Sequence, residues 1–134
     1  MASTELCTED DIVRLVHNFY RRVRQDELLG PIFDAHIDNW DDHLVRMVLF
    51  WSSLLLRTGN YRGTPMPRHI ALPDIEGHMF VRWLDLFRQT TDEFDKPEFV
   101  ERANEFANRV ARSLWYGYQL THNPERAPVE FDHA

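Results

Sequence analysis

The sequence predicts an all-α domain of four long helices and one irregular insert. Apolar residues recur at three- and four-residue spacing through four separate stretches, which is the period of a helix packed on one face. No stretch alternates with the two-residue period of a strand, and glycine and proline fall between the stripes. At 134 residues the chain is one domain, long enough to bury about two-thirds of its unfolded surface.

Thr8-Glu9-Asp10-Asp11 reads as a capping box, and its acids suit the positive end of a helix. Ile12, Val16, Phe19, Tyr20 and Val23 then form an apolar stripe, closed by Arg21, Arg22 and Arg24. Leu28-Leu29-Gly30-Pro31 breaks this helix, and Ile32-Phe33 follows as an apolar hook. A second helix spans about Asn39 to Arg57, with Trp40, His43, Met47, Phe50, Trp51 and Leu54 on one face. Gly59-Asn60 ends it. The insert follows, where Pro65, Pro67 and Pro73 restrict the backbone around His69. Asp74 is a candidate cap for a third helix carrying Ile75, Met79, Trp83, Leu86 and Phe87, with His78 on its flank. Asp95 and Pro97 open a fourth, whose face is Phe99, Ala103, Phe106, Val110, Leu114 and Tyr118. These boundaries give a domain over residues 10–120, an N-terminal extension over 1–9 and a mobile tail over 121–134.

Composition narrows the function. The formal charge of −7 disfavours nucleic acid, which needs clustered Lys and Arg. No apolar run approaches the length of a membrane span, and the N-terminus does not read as a signal peptide, so a reducing cytoplasm is expected. Cys7 is the single cysteine and falls at the expected frayed N-terminus, which excludes an intrachain disulfide. Nine Phe, four Trp and four Tyr are many for this length. They can fill a core or wall a flat apolar ligand.

Seven histidines in an all-α chain raise the question of a metal. A di-iron bundle needs Glu-x-x-His pairs on facing helices, and the only such pair is Glu130 with His133 in the tail. His-Glu-x-x-His, paired cysteines, a Gly-rich phosphate loop and a nucleophile elbow are all absent. His43 and His69 remain. A histidine within an apolar stripe is ordinarily a core residue bonded to a carbonyl, and a loop histidine is ordinarily solvated. The competing reading places His69 on an iron and His43 across an apolar slot, as in a haem pocket.

Several pieces in order match a known pattern. They are Phe19-Tyr20, Leu29-Gly30-Pro31-Ile32-Phe33, Trp40 with His43, Phe50-Trp51, and Tyr61-x-Gly63-x-Pro65. His69 with Leu72-Pro73, and Phe80-x-x-Trp83-Leu84-x-Leu86-Phe87, complete it. In these the chain resembles the truncated haemoglobins, specifically their third group. The match covers roughly Asp10 to Tyr118, and the lack of a Gly-Gly pair separates the chain from the first two groups.

The resemblance implies a two-over-two helical sandwich enclosing haem b, in a family that occurs in bacteria. It implies His69 as the proximal iron ligand and Tyr20, His43 and Trp83 as polar residues of the distal pocket. His43 is then either a sixth iron ligand or a gate. Phe33, Met47, Phe50, Trp51, Tyr61, Met66 and Met79 become candidate pocket walls, and Arg68 a cation for a haem propionate. The expected ligands are O2, NO, CO, cyanide or peroxide, with an electron donor that the sequence does not identify. Redox chemistry of a peroxidase-like or NO dioxygenase-like kind, or sensing, follows better than bulk O2 transport. The rival reading is a haem-free helical interaction module with its tryptophans in the core.

Overall fold

The computed structural model describes residues 6–56 and 75–130. Among these residues there are five helices and no strand. They are α1 (Glu9–Gln25), α2 (Gly30–His36), α3 (Trp40–Leu55), α4 (Gly77–Thr91) and α5 (Pro97–His122). α1 lies against α3, α4 lies against α5, and the two pairs meet through contacts of α1 with α4 and α3 with α5. This is the expected two-over-two sandwich, with α2 packed on α1 as a short bridge.

The start of α1 is built as its sequence requires. Thr8 Oγ1 accepts from the Asp11 amide at 3.1 Å, and Asp11 Oδ2 accepts from the Thr8 amide at 2.9 Å. Lys96, just ahead of α5, also donates to Asp11 Oδ2, tying the first turn to the far end of the molecule. Cys7 differs from expectation: it is 2% exposed and belongs to the core. The capping box fixes the turn that follows it, so the residue before the box packs instead of fraying.

α2 was not expected as a helix. Seven residues are too few to show a helical period, and Pro31 reads as a break although it is well suited to the first helical turn. Gly30 permits this corner, because a Cβ there would stand 2.7 Å from the Arg24 carbonyl oxygen. Asp26 holds it. Its Oδ2 accepts from the Leu28 and Leu29 amides at 3.1 and 3.0 Å, while its Oδ1 accepts from Arg82 Nε on α4 at 2.7 Å.

α3 begins at the expected place, with Asn39 Oδ1 accepting from the Asp42 amide at 3.0 Å. The expected cap Asp74 lies outside the described residues, and α4 starts without a side-chain cap, Glu76 preceding it. α5 opens on Pro97 and runs to His122, a turn beyond the stripe that announced it. After it, Gln119 bonds Val129 in both directions, each bond 2.9 Å.

The dry core is the meeting of α1, α4 and α5. Phe19, Phe87 and Phe99 are its largest fully buried side chains. Phe19 meets Phe87 edge to face at 5.2 Å, and Trp51 of α3 stacks on Phe87 at 5.1 Å.

Candidate functional site

Between the helix pairs the apolar stripes leave a cleft. Its walls are Tyr20 of α1, Leu29, Ile32 and Phe33 of the α1–α2 corner, and Met47, Phe50 and Trp51 of α3. Ile75 ahead of α4, Met79, Phe80 and Trp83 of its first half, and Val110, Ala111 and Leu114 of α5 close the other side. The atom-free space, mouth included, is about 770 Å³.

The chemistry of the lining is narrow. Among the described residues its only side-chain oxygen and nitrogen atoms are the Tyr20 hydroxyl and the Trp51 and Trp83 indole nitrogens. All three donate, and no carboxylate, ammonium or imidazole of a described residue joins them.

Tyr20 stands at the centre of this wall. Its ring meets Phe19 at 4.9 Å, His43 at 5.0 Å, Trp40 at 5.9 Å and Phe33 at 6.0 Å. Burial pushes its hydroxyl well above the usual phenol range, so the group stays a neutral donor at physiological pH. Trp83 lies one helix away, edge to face with Phe19 at 5.3 Å and stacked on Phe87 at 5.9 Å. The Phe19–Phe87 pair is therefore a floor that sets both Tyr20 and Trp83.

The sequence-predicted residues fall into three sets. Tyr20, Phe33, Met47, Phe50, Trp51, Met79 and Trp83 all line the cleft. His43 is not among them; it is half-buried, edge to face with both Tyr20 and Trp40. Tyr61, Met66, Arg68 and His69 lie outside the described residues. Among the described residues no group of three or more His, Cys, Asp or Glu gathers for a metal. No helix there is long and apolar enough to cross a membrane.

Sequence reasoning did not single out Leu29, Phe80, Ala111 and Leu114 as cleft walls, because a wall residue and a core residue share one periodicity. It also missed the Asp26–Arg82 pair, which holds the Tyr20 end of α1 against α4 one residue from Trp83. An acidic residue at a helix end reads as solvated, yet this side chain is 2% exposed.

No protein-family profile matches the chain. It is 33% identical over 122 residues to the group 3 truncated haemoglobin ctb of Campylobacter jejuni, a match spanning 84% of this chain and 96% of that relative. The crystal structure of group III truncated haemoglobin from Campylobacter jejuni is similar with a TM-score of 0.69 and 30% identity. That match covers 81% of this chain and 92% of the other. A sequence and a fold that agree over most of both chains admit one conclusion: the chain belongs to the group III truncated haemoglobins.

Proposed function

We propose that the chain holds haem b in this cleft through His69 and uses Tyr20 and Trp83 to retain a small ligand at its iron. One observation supports this above the rest: an apolar cleft whose polar side-chain atoms, among the described residues, are hydrogen-bond donors. Flat apolar walls suit the macrocycle, and donors without a competing base suit a ligand that carries negative charge. When bound, haem would supply a redox-active iron that takes O2, NO, CO, cyanide or peroxide.

The chain's own residues do the rest. Phe33, Met47, Phe50, Trp51 and Met79 exclude water and fix the plane of the group. Tyr61 and Met66 extend these walls, and Arg68 pairs a propionate; these roles, like that of His69, follow from the family motif. The Tyr20 hydroxyl and Trp83 Nε1–H donate to the ligand. His43, edge to face with Tyr20, would support that ring and serve as a gate or a sixth iron ligand. Each hydrogen bond to a charged acceptor contributes about 1.5–3 kcal/mol, and about 1.4 kcal/mol is tenfold in affinity. Two such donors slow release by orders of magnitude. Retention on that scale serves redox chemistry on O2, NO or peroxide with a reducing partner, or sensing, better than transport.

The test is the visible spectrum of the purified cytoplasmic protein, ferric and dithionite-reduced, beside His69→Ala. A strong Soret band that shifts on reduction and with CO, and is weakened in the variant, is expected. A wild type that takes up no supplied haem would return the chain to the helical interaction module.

A further inference from the structure

Tyr20 lines two cavities at once. One is the apolar cleft; the other is a surface groove lined by His17, Arg21, Arg24, Asp34, Trp40 and Leu44. The two are therefore separated by the Tyr20 ring and by what leans on it. Trp40 leans on it from the groove, 5.9 Å away, and meets His43 at 5.6 Å. Trp40 is itself pinned from outside: its Nε1 donates to Asp34 Oδ1 at 3.1 Å, and the Arg24 guanidinium lies over its ring at 4.5 Å. Arg24 Nε in turn stands 3.6 Å from the same Asp34 oxygen.

Trp40 is also the first residue of α3, directly after the Asn39 cap. Side chains within a helix are kept from some rotamers by the preceding turn. At this position there is no preceding turn, so the ring can swing towards solvent without unwinding the helix. The holding contacts come from α1 and α2 and are half-exposed, hence breakable.

We infer that Trp40 is the residue that determines which ligands pass from the groove to the Tyr20 face of the cleft, with Asp34 and Arg24 as its latch. This rests on the reading of the cleft as the ligand pocket. A plug obstructs passage without touching either end state, so it scales ligand association and release by one factor and leaves affinity unchanged. It also discriminates by size, since a wider ligand needs the ring fully displaced.

The experiment is laser-flash CO rebinding and stopped-flow CO replacement on haem-loaded wild type, Trp40→Phe, Asp34→Ala and Trp40→Ala. Phe keeps the ring and loses the bond to Asp34, which covers the case in which Ala disturbs the fold. Both rates are expected to rise together, roughly tenfold for Trp40→Ala, as the hydrogen bond and ring contact are lost. n-Butyl isocyanide is expected to gain more than CO. Unchanged rates, or a rise in release alone, would overturn the proposal; the latter would make Trp40 a support for Tyr20. Labelling with 5-fluorotryptophan adds a readout that needs no haem. The Trp40 ¹⁹F resonance, assigned by its loss in Trp40→Phe, is expected to shift and sharpen in Asp34→Ala. A resonance that does not move removes the latch, whatever haem binding shows.

Discussion

The two halves of α4 treat polar groups in opposite ways. In the C-terminal half Thr90 and Thr91 are fully buried, and both hydroxyls are committed. Thr90 Oγ1 donates to the Leu86 carbonyl at 2.8 Å and accepts from Arg22; Thr91 Oγ1 donates to the Arg88 carbonyl at 3.0 Å and accepts from Asn104. Trp83, two turns earlier, lines the cleft. The same is true of Tyr20 across from it. A fold satisfies its buried polar groups because leaving them unmade costs about 1–3 kcal/mol each. Tyr20 and Trp83 instead set their donors on an apolar cleft, the arrangement a bound acceptor would use.

The contrast is open to four tests, from the largest effect to the smallest. Phe87→Ala, in the closed half, is expected to cost about 3–5 kcal/mol of unfolding free energy, read by urea denaturation. Tyr20→Phe and Trp83→Phe should reverse the pattern. Stability changes by about 1.5 kcal/mol or less, while O2 release from the loaded protein accelerates about 10- to 150-fold per lost donor, by stopped flow. Release at the wild-type rate in both variants would mean that the donors face no ligand.

Asp26→Asn comes next, at about 2 kcal/mol near pH 7 for a charge-assisted bond lost. Burial alone would raise the Asp26 pKa, but the Arg82 guanidinium and the Leu28 and Leu29 amides bring it below its ordinary 3.8. A depressed carboxylate stabilises the fold above its unfolded pKa and loses that contribution as pH falls through the folded one. The gap between wild type and Asp26→Asn should therefore close below about pH 3.8, in denaturant titrations of the haem-free chain. Glu93→Gln is the smallest. Its bond to Arg22 is 2.6 Å but partly solvated, so about 0.2–1 kcal/mol is expected, diminishing with salt.

What could be read in the residues follows the same division. The long helices were legible because burial on one face leaves a period, and Thr8, Asn39 and Pro97 mark their starts within a residue. Tyr20 and Trp83 were legible as inward residues, but only the family motif distinguished them from core aromatics. α2 was hidden by its length and Asp26 by its type. The contact of His43 with the Tyr20 ring depends on how α1 and α3 cross, which no single stripe encodes.

Cys7 has a practical consequence. It is the only sulfhydryl in the chain, and it sits in the core directly ahead of the capping box. A thiol reagent can reach it only when the start of α1 lets go. Its labelling rate under native conditions is therefore a clock for that opening. Thr8→Ala, which breaks the box, should quicken the clock without touching the cleft.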